Sequence, residues 1–150
     1  MRNVMVYTVF VVLVTGMGLL SGLTNIPGDW YQSLQKPWFN PPAWVFGPAW
    51  TVLYVLIGLA GARIWLKAPS SIAMQIWFAQ WALNLLWSPF FFGLESPALG
   101  LAVILPMLAM ILVFIVKARR IDQMAALLFV PYAGWVAFAT MLNTAIFMLN

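Results

Sequence analysis

The sequence contains no cysteine and no histidine, and it is poor in charge of either sign. Without cysteine the chain has no disulfide framework and no thiolate chemistry. Without histidine it lacks the commonest metal ligand and the commonest general base. Its three carboxylates, Asp29, Glu95 and Asp122, lie too far apart in sequence to suggest a paired acid and base. These absences predict no metal site, no obligatory cofactor and no conventional catalytic residues.

Charged residues make up only 7% of the 150 residues, whereas hydrophobic residues make up 65%. Ordinary soluble domains are about one quarter charged. A soluble fold could not bury this much apolar surface, so the composition predicts an integral membrane protein. The apolar runs are separated only by short polar breaks, which predicts a single domain over residues 1–150.

Five segments are long and apolar enough to cross a membrane, which takes about 20 residues as a helix. The first segment follows Arg2 as the core of a signal peptide would, but it is long and no A-x-A site follows it, so we expect a retained helix. The fold class predicted is all-α, an integral membrane bundle of five transmembrane helices. The predicted spans are residues 4–23, 44–66, 72–92, 98–116 and 123–149.

Polar residues and prolines mark the boundaries of these helices. Asn40 is a candidate N-cap for the second span, Ser70 or Ser71 for the third, and Ser96 for the fourth. Prolines inside a helix free backbone carbonyls that neighbouring helices must satisfy. The prolines predicted to lie inside spans are Pro106 and Pro131.

Basic residues are distributed unequally between the two membrane faces. Only Lys36 would lie on one face, and the excess on the other predicts a cytoplasmic N-terminus. The net charge of +4 therefore reflects membrane topology and does not predict nucleic-acid binding. The basic residues of the cytoplasmic face are Arg2, Arg63, Lys67, Lys117, Arg119 and Arg120.

The connection between the first two spans, residues 24–43, is the only long one. Its aromatic residues fit an interfacial aromatic belt, or a lid stiffened by prolines over a binding site. Both interpretations remain open from the composition. The aromatic residues concerned are Trp30, Tyr31, Trp38 and Phe39.

Three spans carry stripes of aromatic and polar residues at helical spacing. Asn84, Asn143 and Gln80 would either hydrogen-bond between helices or orient a ligand in an apolar cavity. Nine tryptophans favour the cavity, because large rings line a slot for a planar guest. The stripes contain Trp44, Gly47, Thr51, Tyr54, Gly58 and Ala62; Trp77, Gln80, Asn84, Trp87, Ser88 and Phe91; and Tyr132, Trp135, Ala139, Leu142, Asn143 and Ile146.

Small residues four apart permit close contact between membrane helices. Gly18 and Gly22 form such a pair in the first span, and Gly58 and Ala62 form one in the second. We expect most of these pairs to pack inside the bundle and at least one face to serve a homodimer.

Three segments together resemble the signatures of the translocator protein family, whose bacterial members are the tryptophan-rich sensory proteins, TspO. They read LQKPWFNPPAWVFGPAWTVLY, NLLWSPFFFG and PYAGWVAFATMLN. The resemblance implies a homodimeric five-helix bundle that binds porphyrins such as protoporphyrin IX, benzodiazepine-type and isoquinoline carboxamide drugs and, in some members, cholesterol. It also implies a bacterial cell envelope location, either inner or outer membrane, and a role in tetrapyrrole-linked regulation.

Matching these motifs implies a set of ligand-binding residues, which fall on or beside the aromatic stripes. One feature departs from the family: no lysine or arginine follows Tyr132, so the sterol-recognition segment of animal members is missing. We therefore do not expect high-affinity cholesterol binding, although Ala139 and Leu142 could shape a weaker site. The implied ligand-binding residues are Trp38, Phe46, Trp50, Tyr54, Asn84, Phe90, Trp135, Ala139 and Leu142.

Four functions are compatible with these features. The first is a receptor that binds porphyrin, without strong axial ligation of haem because histidine and cysteine are absent. The second is light- and oxygen-dependent porphyrin degradation, and the third is facilitated movement of porphyrin or sterol across the membrane. The absence of inverted repeats and of ionisable residues deep in a span argues against active transport. The fourth is a small scaffold that regulates a partner.

Overall fold

The computed structural model describes all 150 residues, and its secondary structure is entirely helical. A 3₁₀ turn, Ala43–Val45, leads into the third helix, and a π-helical turn, Pro89–Gly93, follows the fourth. The all-α class predicted from the sequence is therefore confirmed. The helices are α1 (Arg2–Thr24), α2 (Asp29–Ser33), α3 (Phe46–Lys67), α4 (Ile72–Ser88), α5 (Pro97–Ala118) and α6 (Gln123–Leu149).

Four of the helices are long and apolar enough to cross a membrane: α1, α3 together with its 3₁₀ turn, α5 and α6. Helix α4 has only 17 residues, which at about 1.5 Å per residue is shorter than a hydrocarbon core of about 30 Å. The predicted third span, residues 72–92, is thus not one continuous α-helix. The structure shows four such helices where the sequence predicts five.

The break at the end of α4 is caused by Pro89, which lacks an N–H and whose ring conflicts with the carbonyl four residues earlier. That carbonyl belongs to Leu85, and the hydroxyl of Ser21 on α1 donates a hydrogen bond to it at 3.3 Å. Beyond the proline, backbone hydrogen bonds join residues five apart in sequence. One example is the bond from Leu94 N to the oxygen of Pro89 at 2.8 Å. Residues 89–93 therefore depart from regular α-helical spacing.

Two of the predicted helix caps are confirmed and one is wrong. The side chains of Ser71 and Ser96 accept backbone N–H groups at the starts of α4 and α5. Asn40 does not cap a helix, because the helical turn begins only at Ala43. Its side-chain oxygen instead accepts a hydrogen bond from the hydroxyl of Tyr31 at 3.4 Å.

The long helices form a closed bundle in the order α1, α3, α6, α5 and α4, with α4 also touching α1 and α3. Gly58 lets α1 and α3 approach closely, since a Cβ there would lie 2.8 Å from the Cα of Val11. Gly18 packs against the ring of Tyr54, whereas Gly22 has no neighbour within 4 Å of a Cβ. Two of the predicted small-residue positions therefore pack inside the bundle.

An ion-pair network joins three helices at the end of the bundle away from the long loop. Arg63 donates to both carboxylate oxygens of Asp122, at 2.7 and 3.2 Å, and to the hydroxyl of Tyr7 at 3.3 Å. Lys67 lies 3.4 Å from the same carboxylate, whose oxygen also caps α6 by accepting from Met124 N. Arg63 and Lys67 are therefore at the same end as the basic α5–α6 turn, as the charge distribution predicts.

Burial opposes ionisation of Asp122, but the hydrogen bonds and charges of Arg63 and Lys67 outweigh it. The pKa of this carboxyl is consequently held below its ordinary value. The carboxylate is thus kept charged and serves both as the partner of two cations and as the N-cap of α6.

Candidate ligand-binding site

A cavity of about 310 Å³ lies in the half of the bundle that carries the long loop. All five long helices contribute to its wall, and 16 of its 25 lining residues are hydrophobic. No lysine, arginine, aspartate or glutamate is among them. Its volume is at the lower end of the range of about 300–1,000 Å³ found for small-molecule sites, which are mostly apolar with a few polar groups.

The structure brings seven of the nine sequence-predicted site residues together around this cavity. Trp38 does not line it, because its side chain is 94% exposed on the outside of the loop, where it packs edge-on against Phe39. Phe90 does not line it either, whereas its neighbour Phe91, which lies on the predicted helical stripe, is only 2% exposed and does. The seven residues that line the cavity are Phe46, Trp50, Tyr54, Asn84, Trp135, Ala139 and Leu142.

One wall of the cavity is built from rings of α3 and α6. Trp50 stacks on Tyr54, with ring centroids 5.7 Å apart and planes 28° from parallel. Trp135 stands perpendicular to Trp50 at 6.5 Å, and Phe46 lies edge-on to Trp135 at 5.9 Å. Two indole rings at a right angle thus form a corner that offers one ring face and one ring edge.

A second aromatic wall comes from the end of α4 and from the loop. Trp87 stacks on Phe91 at 5.0 Å, with the planes 21° apart. Tyr31 of α2 lies edge-on to Phe92 at 5.4 Å. The helical stripe predicted for the third span already contains Trp87 and Phe91, and Tyr31 is one of the aromatic residues of the possible lid. No local signal identifies Phe92 as a lining residue.

Asn84 lies in a chain of hydrogen bonds that crosses the bundle. Its Nδ2 donates to the hydroxyl of Tyr132 at 2.7 Å, and that hydroxyl donates to Oε1 of Gln80 at 2.8 Å. Gln80 in turn donates to the backbone oxygen of Trp77 at 2.8 Å. Gln80 is thus an interhelical tie, one of the two roles that the sequence leaves open.

Asn143 is the second interhelical tie. Its Oδ1 accepts from the indole N–H of Trp87 at 3.0 Å, and its Nδ2 donates to the backbone oxygen of Pro97 at 2.9 Å. Gly100 is required beside it, because a Cβ there would lie 2.7 Å from Asn143 Oδ1. Although Asn143 lines the cavity, both ends of its amide are already occupied.

Polar side-chain atoms without a protein partner occur on Tyr54, Asn84 and Trp135, among other lining residues. Oδ1 of Asn84 and the hydroxyl of Tyr54 make no hydrogen bond, and the indole N–H of Trp135 is buried without an acceptor. Unsatisfied polar groups in an apolar interior are costly, which favours their pairing with a bound molecule. They offer one acceptor, one donor and one group that can do either.

The loop before α3 covers one side of the cavity, where Pro27, Tyr31 and Asn40 contribute to the lining. Burial raises the pKa of the Tyr31 hydroxyl, and the hydrogen bond to Asn40 offsets part of that effect. Asn150 fastens the loop to the end of α6 by exchanging two hydrogen bonds with the backbone of Gln35, at 3.1 and 2.9 Å. The loop therefore provides both a cover, through Tyr31, and an exposed aromatic surface.

Comparison with known proteins agrees with this architecture. The model of the TspO/MBR family matches residues 9–149. The chain is 41% identical over 135 residues to the tryptophan-rich sensory protein of Cereibacter sphaeroides, covering 90% of this chain and 85% of that protein. It is 43% identical over 123 residues to the tryptophan-rich protein TspO of Archaeoglobus fulgidus, covering 81% and 80%.

A relative from animals is matched over a similar length. The chain is 31% identical over 146 residues to the translocator protein of Homo sapiens, covering 92% of this chain and 86% of that protein. The matches extend from α1 to α6 and include the loop and every helix that builds the cavity. This chain therefore belongs to the TspO/MBR family and is a membrane protein.

Proposed function

We propose that this protein binds porphyrins, with protoporphyrin IX as the reference ligand, and other flat apolar molecules in the cavity beneath the loop. In this proposal binding regulates a tetrapyrrole-linked response, and the protein acts in the membrane as a homodimer. The observation that carries the proposal is the cavity itself, with two aromatic walls and polar atoms that lack partners, among them those of Tyr54, Asn84 and Trp135.

The two walls supply most of the binding free energy. Each well-placed aromatic contact contributes about 0.5–1.5 kcal/mol beyond burial of area. The unpaired atoms of Tyr54, Asn84 and Trp135 then fix the rotation of the ligand in its plane. A macrocycle of four pyrrole rings extends beyond a cavity of about 310 Å³, so binding requires the loop that carries Tyr31 to move outward.

Five membrane spans complete the proposal. The 17 residues of α4 and the 5 residues of the π-helical turn run in succession, and together they reach roughly 30 Å. The carbonyl of Leu85 that Pro89 leaves free is satisfied by Ser21. A π-helical break with its backbone paired to a neighbouring helix is tolerated at membrane depth.

The lining residues favour metal-free porphyrin over haem. Met107 is the only lining residue with a sulfur atom, and the chain has no histidine or cysteine. Strong axial ligation of haem iron normally comes from those side chains. A haem complex should therefore lack the spectrum of a six-coordinate low-spin iron.

The proposal is tested by titrating the purified protein in lipid nanodiscs with protoporphyrin IX. Quenching of tryptophan fluorescence measures binding. Ala139 is buried in the cavity wall, so an Ala139→Phe substitution should fill the cavity and weaken binding at least about tenfold. Ala137 is exposed on the same helix, and Ala137→Phe serves as the matched control with unchanged affinity. Quenching that does not saturate, or that responds equally to both substitutions, would refute the proposal.

Photochemical degradation is a second candidate, favoured by the position of electron-rich indoles in the cavity wall. Trp50, Trp87 and Trp135 all line the cavity, where light could excite a bound porphyrin with dioxygen as the oxidant. Comparison of illuminated and dark samples, with and without oxygen, tests this candidate. Product that forms equally in the dark under anaerobic conditions would refute it.

A further inference from the structure

A second cavity of about 340 Å³ adjoins the first on the side of the loop. The two cavities share three wall residues, Tyr31, Asn40 and Ala43. Unlike the first cavity, the second includes a charged residue, Lys36, and it is lined mainly by polar residues and prolines. The apolar first cavity and the second cavity, which contains a cation, thus adjoin at Tyr31, Asn40 and Ala43.

Lys36 is the only basic residue outside the opposite end of the bundle, and it is half-buried. Its Nζ lies 4.6 Å from the centroid of the Tyr31 ring and donates to the backbone oxygen of Leu34 at 3.3 Å. It forms no ion pair, since both ion pairs of the protein involve Asp122. An ammonium group that the fold holds in place, with no carboxylate within 4 Å, can pair with the carboxylate of a ligand.

We propose that the second cavity binds the acidic arm of an amphiphilic ligand, whose flat apolar body occupies the first cavity and whose carboxylate pairs with Lys36. The inference rests on the function proposed above and names the ligand class: planar ring systems that carry a carboxylate side chain, as protoporphyrin IX does. Neutral flat molecules then bind only through the first cavity.

The division of polarity between the two cavities supports this assignment. A carboxylate placed among the uncharged residues of the first cavity would lose hydration without a cationic partner, which is costly. Near Lys36 the same carboxylate meets a cation at the rim of the loop and keeps part of its hydration. Within the shared wall, the hydroxyl of Tyr31 donates to Asn40 through a long hydrogen bond of 3.4 Å.

Comparing two protein variants and two ligands isolates the interaction between Lys36 and a ligand carboxylate. The wild-type protein and the Lys36→Met variant are titrated in nanodiscs of zwitterionic lipid, with protoporphyrin IX and with its dimethyl ester. Lys36→Met keeps much of the side chain that covers Tyr31 but removes the charge, and Lys36→Arg restores a cation. Lys117 is exposed at the other end of the bundle and forms no ion pair, so Lys117→Met controls for a lost surface charge.

We expect Lys36→Met to weaken binding of the diacid by about three- to tenfold, the range for a partly exposed charged hydrogen bond. Affinity for the diester should stay within about a factor of two, Lys36→Arg should restore diacid binding, and Lys117→Met should change neither ligand. Equal weakening of diacid and diester would overturn the inference while leaving the proposed function intact. Failure of both ligands to bind the wild-type protein would overturn both.

Discussion

The amide of Asn84 on α4 donates a 2.7 Å hydrogen bond to the hydroxyl of Tyr132 on α6. Because that hydroxyl donates its own proton to Gln80, it can only accept from Asn84, which fixes the orientation of the amide. Oδ1 of Asn84 is thereby left without a protein partner at the cavity. A fully buried tyrosine that never touches the cavity thus determines which hydrogen-bonding group Asn84 offers to a ligand.

Two tyrosines that differ in hydrogen bonding should respond differently to loss of the hydroxyl. Tyr132→Phe leaves Nδ2 of Asn84 and Oε1 of Gln80 without their partner, so the unfolding free energy should fall by about 1–3 kcal/mol. Tyr54→Phe removes an unpaired hydroxyl and should change stability by less than about 0.5 kcal/mol. Thermal unfolding in detergent measures both. A Tyr54→Phe protein destabilised as much as Tyr132→Phe would contradict this assignment.

The positions of Trp50 and Trp38 predict unequal contributions to binding. Trp50 forms part of the cavity wall and stacks on Tyr54, so Trp50→Ala should weaken protoporphyrin binding by about tenfold or more. Trp38 is exposed outside the loop, and Trp38→Ala should change the Kd by less than about threefold. Binding is measured by porphyrin absorption, because a fluorescence readout would change with the number of tryptophans. A larger loss in the Trp38 variant would show that the loop closes over the ligand with Trp38 inward.

Gly18 and Gly16 provide a matched pair on α1. A Cβ at Gly18 would lie 2.5–2.7 Å from ring atoms of Tyr54, so Gly18→Ala should displace that ring and cost about 1–3 kcal/mol. Gly16 has nothing within 4 Å of a Cβ, and Gly16→Ala should be neutral or slightly stabilising. Unfolding temperature and porphyrin affinity should both fall only for Gly18→Ala. Equal effects of the two substitutions would show that the loss of stability comes from a change in helix flexibility and not from packing against Tyr54.

The Asp122 network predicts a loss of stability in acid. Because the folded-state pKa of Asp122 lies below its ordinary value of about 3.9, its contribution is fully present above that value. It disappears as the pH falls through the lower folded-state pKa. Asp122→Asn keeps a capping side chain but removes the charge, and should cost about 1–3 kcal/mol at neutral pH.

Unfolding temperatures of the wild-type protein and Asp122→Asn should therefore stay apart from pH 7 down to about pH 4 and converge only as the pH is lowered further, toward about pH 2. Arg63→Gln removes the other partner of the same ion pair. The double variant should lose less unfolding free energy than the sum of the losses in the two single variants. If the unfolding temperatures of the two proteins differed by the same amount at every pH, the stabilising role of the Asp122 carboxylate would be contradicted.

Features that depend on local sequence were predicted well. The bounds of α6, residues 123–149, agree with the structure, and Ser71 and Ser96 cap the helices they precede. Such features depend on hydropathy along a few turns or on a side chain beside its own backbone. The cap predicted at Asn40 was wrong because prolines at 41 and 42 delay the helix, and the side chain turns instead to Tyr31.

The amino-acid sequence by itself determined the helical class, the membrane environment and the approximate bounds of most helices, which follow from composition. Helical spacing placed 11 of the 25 lining residues on the predicted stripes, and the family resemblance added Phe46 and Trp50. Only the tertiary structure decided that Phe92 joins Phe91 in the cavity wall, that Trp38 and Phe90 lie outside it and that the loop covers it with Tyr31. The physical reason is that a π-helical turn changes the phase of every following side chain, while a loop is positioned by partners distant in sequence. Asn150 holding Gln35 is one such pair, and no local pattern in the chain encodes it.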